Sequence, residues 1–470
     1  MKTPLSLLFI CFWSSLFAQP LWNLETCILY AKEHNVQIKL QEINYLYNKN
    51  TLSQSRANVL PSVNGSANQN LNYGRQVDPY TNEFIESNVK TNNFALNAQW
   101  NLFNGLQNYH TIEQNKLTLY SSLMDLEKMK NDISLQVATF YLQILYSDEN
   151  LESAIRQKQT TDLQLERIKK QVEAGKLAKG DLYQIEAQLA NDELQIINAK
   201  NNLQLAYLNL SQLLEISSPD SIRVQKPNLT IQDNEILIAN MNEIYQTALQ
   251  LPQIKSASAK VQSSQQQLSV AKGRRSPQLT LAASYGTGYS DARQRYDIQM
   301  GDPHVIGQVG SDPNMLVYAP TINYLGSNYP FFDQLKDNAS TYFSIRLSVP
   351  IFNNRQIQTS VNNAKLNIKN NEYQLELAEK GLYKEIQQAY NDASSSLARY
   401  QGTQKSLLAQ QESFKYVEQR YNNGMLTNTE YFVSKNQLSL TESQLIQAKY
   451  EYVFKKNILN FYAGKPFDIQ

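Results

Sequence analysis

Four segments of this chain alternate apolar and polar side chains with a period of two. In Ser62 to Tyr73, Val63, Gly65, Ala67, Gln69, Leu71 and Tyr73 interleave with Ser62 and five successive even-numbered polar residues ending at Asn72. In Asn93 to Phe103, Phe94, Leu96, Ala98, Trp100 and Leu102 interleave with Asn93, Asn97, Gln99 and Asn101. Gln278 to Tyr289 sets Leu279, Leu281, Ala283 and Tyr285 against Gln278, Thr280 and Ser284, and Tyr342 to Phe352 sets Phe343, Ile345, Leu347 and Ile351 against Ser344, Arg346 and Ser348. A period of two puts each set on its own face of a strand. About ten residues is what a tilted strand needs to cross a bilayer, with lipid on one face and water on the other. A water-soluble sandwich would alternate in the same way. The remainder of the chain decides between them, because it carries long helices in place of further strands.

A sheet inside hydrocarbon cannot leave its edges unpaired. Bacterial barrels start at about eight strands, and one chain supplies four. The barrel is therefore shared between chains, and both two chains with eight strands and three chains with twelve satisfy the geometry.

Between the strand pairs the period changes. From Gly105 to Glu173, Ile112, Leu119, Leu123, Leu126, Ile133, Val137, Phe140 and Ile144 recur at steps of three and four or their sums, a coiled-coil pattern. Such a helix is about 100 Å long at 1.5 Å per residue. The return helix carries Leu182, Ile185, Leu189, Asp192, Ile196, Ala199, Leu203, Ala206, Leu210 and Leu213 on one stripe. On helix pattern alone a soluble coiled-coil scaffold would fit equally well. The strands weigh against it.

The chain also repeats itself. At a shift of 249 positions Phe103-Asn104 meets Phe352-Asn353, Tyr141 meets Tyr390, Gly175 meets Gly424, Leu177 meets Leu426, and Ala199-Lys200 meets Ala448-Lys449. At a shift of 216, Ile38 meets Ile254 and Pro61 meets Pro277. The difference of 33 is an insertion in the second copy, between Pro277 and Phe352. The expected organisation is a leader at 1–18, a first repeat at 19–218, a linker at 219–240 and a second repeat at 241–470. In the first repeat a helix from Asn23 to Asn58 precedes a strand hairpin at 62–103 and a helical hairpin at 105–215. The second holds the corresponding hairpins at 278–352 and 355–463.

Leu5 to Phe17 is a short apolar run after Lys2, closed by Ala18, as in an export signal. Lys and Arg total 43 against 42 for Asp and Glu, so no basic field exists to hold nucleic acid. The three histidines, His34, His110 and His304, stand apart from one another and from Cys27. No phosphate-binding glycine loop, zinc-ligand spacing or serine-nucleophile elbow is present. An enzyme is not indicated, and no cofactor or metal site is expected.

The runs Val172-Glu-Ala-Gly175-Lys-Leu177 through Asp181 and Tyr421-Asn-Asn-Gly424-Met-Leu426 through Glu430 resemble the two helix-turn-helix tips of the TolC family of outer-membrane efflux proteins. Leu102-Phe103-Asn104-Gly105 and Pro350-Ile351-Phe352-Asn353 resemble its strand-to-helix transitions. The resemblance covers essentially the whole chain after the leader. It implies an α+β membrane protein, a homotrimer whose twelve-stranded transmembrane β-barrel continues into a long α-helical coiled-coil barrel through the periplasm. It also implies docking of the tips, Gly175, Lys176, Leu177, Gly424, Met425 and Leu426, onto a periplasmic adaptor. An inner-membrane pump of the RND or ABC type would feed that adaptor, making the chain the exit duct of a tripartite efflux or type I secretion system. An adaptor protein is the competing reading, but an adaptor would have one helical hairpin and soluble β-domains.

Carried over by position, Asp181 and Tyr421 fall where the family has tip residues that hold the closed state. The family's basic partner for them is Leu426 here. Glu430 matches the first of two acidic positions that narrow the pore, and Val433 stands at the second. Glu430 has a competing explanation, since Thr427-Asn-Thr-Glu430 is a capping box. Gly175 and Gly424 are suited to left-handed helix ends that leave Leu177 and Leu426 exposed. The inserted segment Ser290 to Ser340, with turn formers at Gly301-Asp-Pro303, Gly310-Ser-Asp-Pro313 and Asn328-Tyr-Pro330, is expected outside the cell as a partly ordered cover over the barrel mouth.

Overall fold

The computed structural model describes residues 21–77, 82, 84–86, 88–227, 240–310 and 313–465. The expected leader at 1–18 and most of the linker lie outside these residues. The elements run β1 (Leu21–Trp22), α1 (Leu24–His34), α2 (Val36–Ala57), β2 (Ser62–Asn72), β3 (Arg75–Val77), β4 (Phe84–Glu86), β5 (Val89–Phe103), α3 (Gln107–Glu173) and α4 (Lys179–Leu213). A short 3-10 turn, Pro219–Ser221, leads to β6 (Arg223–Val224), α5 (Met241–Ala248), α6 (Pro252–Gly273), β7 (Gln278–Ser290), β8 (Gln294–Gln308), β9 (Leu316–Asn328), α7 (Phe331–Asp337), β10 (Ser340–Ser348), α8 (Gln356–Asn422) and α9 (Asn428–Tyr462). Helices α3 and α8 are both 67 residues long, and α4 and α9 are both 35. The chain divides into a helical unit, drawn from Met1–Lys49, Leu117–Gln262 and Lys369–Gln470, and a sheet unit, Asn50–Lys116 and Ser263–Ile368.

In the helical unit the seams follow the three-and-four spacing. Leu126, Ile133, Val137 and Ile144 of α3 are buried with Ala206 and Leu210 of α4 and with Cys27 and Ala31 of α1. Burial pushes the Cys27 thiol up to about 12, so it packs as a small apolar group. A second seam joins Ile244 and Ala248 of α5 to Leu382, Ile386 and Ala393 of α8 and to Tyr452 and Leu459 of α9.

The helix expected across Asn23 to Asn58 is two helices. Asn35 leaves the helical region (φ −62°, ψ 128°) and its Oδ1 accepts the Gln37 amide at 2.9 Å, starting α2 while its Nδ2 donates to Leu213 O at 3.0 Å. Beyond α4, β6 pairs in parallel with β1.

The sheet unit contains one four-stranded antiparallel sheet in the order β10-β7-β5-β2. Its register aligns Leu96 with Gly65 and Tyr285, and Ala98 with Val63 and Ala283, while Phe343 lies opposite Ala283 and Ile345 opposite Leu281. All these side chains share one face. The other face carries Asn64, Ser66, Asn97, Gln99, Thr280, Ser284, Ser344 and Arg346, with Ser284 Oγ donating to Asn97 Oδ1 at 2.8 Å. Apart from one end, where Phe331 packs against Phe94 and Tyr289, the apolar face is uncovered: Phe343 and Ile345 are 72% and 71% exposed. Among the described residues β2 and β10 each pair on one side only.

The strand expected over Tyr342 to Phe352 occupies Ser340–Ser348 instead, because Pro350 has no N–H to continue the ladder. Where β5 gives way to α3, Gly105 (φ +67°) lies against Gly273 at the end of α6. A Cβ on Gly273 would sit 2.5 Å from the Gly105 carbonyl oxygen.

The described residues of the inserted segment form regular elements. β8 and β9 form a separate two-stranded ribbon, and α7 follows it. Gly301-Asp-Pro303, expected as a turn, is a bulge inside β8: the register jumps between Gly301 and His304 and resumes opposite Ala319. Pro303 can be skipped there at no cost in ladder hydrogen bonds. Pro330 caps α7.

Candidate functional site

The two helical turns, Glu173 to Ala178 and Asn422 to Thr427, are built alike. Gly175 adopts φ +74° and Gly424 φ +72°. The Lys176 amide donates to Gln171 O at 2.8 Å and the Met425 amide to Arg420 O at 2.9 Å, closing each helix with a six-to-one bond. Gly175, Lys176, Gly424 and Met425 are exposed. Leu177 and Leu426, expected to be exposed, are half-buried, Leu177 in a cluster with Ile168, Ile185, Tyr431 and Phe432. The apolar side chain left in the open is Met425, 67% exposed. A left-handed helix end turns the residue after the closing bond back onto its own helices, which is why the leucines fold inward.

Asp181 and Tyr421 are brought together, but through a third residue. The Tyr421 hydroxyl donates to Asn428 Oδ1 at 2.5 Å, and Asn428 Nδ2 donates to Asp181 Oδ1 at 2.6 Å. The other Asp181 oxygen accepts the Ala178 amide at 3.2 Å and starts α4, since Ala178 has no side-chain acceptor of its own. Tyr421 stacks on Tyr431 with ring centroids 4.4 Å apart, beneath the Arg167 guanidinium at 5.9 Å. Burial pushes the Tyr421 hydroxyl above its ordinary range, opposed by Arg167. Asn428 is buried, as a neutral side chain with both a donor and an acceptor to offer can be at low cost.

Glu430 sits in a complete capping box. Its Oε2 accepts the Thr427 amide and hydroxyl, each at 2.8 Å, and its own amide donates to Thr427 Oγ1 at 3.3 Å. The Thr427 amide holds the exposed carboxyl below the usual carboxylate range.

Further from the turns a buried polar chain ties α9 to α3 and α4. Lys435, 4% exposed, donates to Thr161 Oγ1 at 3.0 Å, and the Thr161 hydroxyl donates to Asp192 Oδ2 at 2.5 Å. Gln188 Nε2 supports Asp192 Oδ1 at 2.8 Å. Burial pushes the Lys435 amine down to about 8, with Asp192 pulling the other way. Gln184 donating to Thr429 at 2.9 Å and Ser443 paired with Asn150 at 3.0 Å extend the contact along α9. Sequence reasoning missed Asn428 and Lys435. The one available signal was polar residues at positions where an apolar stripe continues, as Asp192 does in α4.

Among the described residues no group of His, Cys, Asp and Glu could hold a metal ion, and no helix is long and apolar enough to cross a membrane.

Comparison with known proteins agrees with this architecture. Residues 31–215 and 244–465 match the outer membrane efflux protein family. Outer membrane protein TolC of Escherichia coli is 21% identical over 389 residues, covering 77% of this chain and 72% of that protein. The VceC outer membrane protein of Vibrio cholerae superposes with a TM-score of 0.74 at 14% identity, covering 95% of this chain and 97% of VceC. The CmeC outer membrane channel of Campylobacter jejuni gives a TM-score of 0.74 at 18% identity, with 95% and 86% covered. The chain belongs to the outer membrane efflux protein family, the TolC-like efflux channels of the bacterial outer membrane.

Proposed function

We propose that three copies of this chain close a twelve-stranded barrel in the outer membrane and form the exit duct of a tripartite efflux or type I secretion system. The observation that carries this reading is the four-stranded sheet, with a largely uncovered apolar face and, among the described residues, unpaired edges at β2 and β10. In hydrocarbon such edges must pair, and pairing β2 of one copy with β10 of the next leaves every strand satisfied. The matched lengths of α3 with α8 and of α4 with α9 support an internal duplication, with repeats at 19–218 and 241–470 flanking the linker. They also support a six-fold pseudo-symmetric helical barrel in the periplasm.

In this reading the duct is passive and not an enzyme. Gly175, Lys176, Leu177, Gly424, Met425 and Leu426 meet a periplasmic adaptor served by an inner-membrane pump. Asp181, Tyr421 and Glu430 form the gate, and Asn428 replaces the basic residue that Leu426 displaces. The Tyr421–Asn428–Asp181 clasp joins the second tip to the first, so it must part when the tips separate. The solved structure of MtrE from Neisseria gonorrhoeae, described as an open state of an outer membrane channel, has the same fold at a TM-score of 0.70 and 16% identity. Native mass measurement on the detergent-extracted protein tests the assembly: three copies are expected, and a membrane-embedded monomer refutes the shared barrel.

A further inference from the structure

The β8–β9 ribbon stands on a firm root and carries an unpartnered blade. At the root the buried Gln334 side chain of α7 clamps the end of β7. Its Nε2 donates to Ser290 O at 3.0 Å and its Oε1 accepts the Ser290 amide at 3.0 Å. Asn338 Nδ2 adds a bond to Gly288 O at 2.6 Å, and the Thr287 hydroxyl donates to Leu335 O at 2.5 Å. Both legs of the ribbon therefore leave from the end of the sheet opposite Phe103 and Ser348, which lead into the long helices.

The blade is two-faced. Its register pairs Ile298 with Tyr324 and Met300 with Ile322, with Tyr296 beside them opposite Gly326. These five side chains share one face and are 48 to 77% exposed. The opposite face carries Arg295, Asp297, Gln299, Asn323 and Ser327, interrupted by Leu325. A two-stranded ribbon is marginal in water on its own, and this one offers water a continuous apolar strip. Burying that strip would stabilise the ribbon.

Two observations choose the cover. The apolar face holds no charged residue, so an identical face can meet it without burying an unpaired charge. Across both strands there is one arginine, Arg295, against two aspartates, Asp297 and Asp302. An anionic leaflet surface selects for Lys and Arg beside the apolar side chains, and they are absent from these strands apart from Arg295. Reach also favours a copy. β9, 13 residues long, spans about 40 Å at the usual strand rise. A twelve-stranded barrel with the usual spacing and tilt is about 24 Å across. Ribbons rising from one mouth are each longer than the mouth is wide.

We propose that Tyr296, Ile298, Met300, Ile322 and Tyr324 pack against the same face of the ribbons from neighbouring copies of this chain, so that the ribbons together cap the outer mouth of the channel. The proposal rests on the trimeric reading above. Tethering at a common rim supplies the high effective concentration that a modest apolar patch needs.

Cysteine pairing on intact cells tests it. Ile298→Cys lies on the apolar face, Gln299→Cys lies on the polar face, and the native Cys27 is fully buried and serves as the blank. After mild oxidation, Ile298→Cys should run as a covalent dimer on non-reducing gels, and Gln299→Cys should not, with both variants trimeric by native mass. Ile298→Asp combined with Ile322→Asp should leave the trimer intact and raise single-channel conductance at least twofold. A trimer in which the Ile298→Cys variant stays uncrosslinked and its new thiol reacts freely with a membrane-impermeant maleimide would show the face open to water and overturn the cap. Quenching of a fluorophore attached to the thiol of Ile298→Cys by brominated lipid would assign the face to the leaflet and also overturn it. Absence of a trimer would instead remove the assembly reading, and the cap with it.

Discussion

Asp192→Asn isolates the buried cation at Lys435. The substitution keeps the shape of the side chain and one acceptor oxygen for its two donors, Thr161 and Gln188, but withdraws the negative charge that favours the Lys435 ammonium. Lys435 is 4% exposed and Asp192 1% exposed, so screening by water is slight. The two charges meet through Thr161 and not directly, which puts the cost of removing one at the lower end of the range of about 3–5 kcal/mol typical of a broken buried pair. Taking about 3 kcal/mol, local opening of α9 from α3 and α4 becomes on the order of 100-fold more frequent. Hydrogen exchange by mass spectrometry on the detergent-solubilised protein reads this directly in peptides around Thr161, Asp192 and Lys435. The native protein carries its own signature. The Lys435 amine is lowered from 10.5 to about 8 by burial, so between these values the opened form holds one proton more than the closed form. Stability of the closed form therefore rises with pH in that window, by about 1.4 kcal/mol per pH unit. Below pH 8 both forms are protonated and the burial penalty is fully present. Above 10.5 neither is, and it is gone. Protection corrected for intrinsic exchange should rise about fivefold from pH 8 to pH 9, because the closed-form amine is half protonated at the start of that interval, and Lys435→Met should abolish that rise. A pH dependence that survives in Lys435→Met, or an Asp192→Asn protein as protected at pH 7 as the native one, would refute the reasoning.

Asn428→Ala breaks both bonds of the clasp, each worth about 1–3 kcal/mol when a charged or buried partner is left behind, and should raise closed-state leak in planar bilayers at least tenfold; unchanged leak would remove the clasp from gating. Met425→Glu should abolish export while trimer and membrane insertion persist, read by dye efflux and native mass. Gly273→Ala forces a Cβ to 2.5 Å from the Gly105 carbonyl and should cost about 1–3 kcal/mol through backbone displacement, seen as an earlier melt of the sheet unit. Glu430→Gln keeps an acceptor for the Thr427 amide but loses the charge, so it should weaken cation selectivity with little change in melting; if helix stability falls and selectivity does not, the carboxylate serves the capping box alone.

The elements were legible because each rests on local spacing. Period-two alternation located β2, β5, β7 and β10, and three-and-four spacing located α3 and α4. Glycine with a partner 249 positions away located both tips. Legibility ended where a side chain depends on a partner far along the chain. Asn428 reads in isolation as one more asparagine after a helix cap; its place between Tyr421 and Asp181 follows only from two hairpins lying side by side. Asp192 was visible as an acid on an apolar stripe, but Lys435, which answers it, is 243 positions away. The exposure expected of Leu177 and Leu426 failed because the six-to-one closure at each turn draws the following residue inward. Gly301-Asp-Pro303 misled because a bulge and a turn use the same residues, and the partner strand decides between them.

The open edges of the sheet also bear on how such a protein reaches its membrane. The helical seams described above are built from residues of one chain, yet β2 and β10 have no second partner within its described residues. If copies share the barrel as proposed, its completion is a collision between chains, with a rate that falls steeply as the concentration of newly exported subunits drops. On that proposal each waiting subunit would carry two bare strand edges and an apolar sheet face through an aqueous compartment. The slow step in making this protein is then encounter, and a cell that lowers its supply of periplasmic holdases should accumulate protease-nicked subunits cut in the sheet unit before it loses any assembled channel.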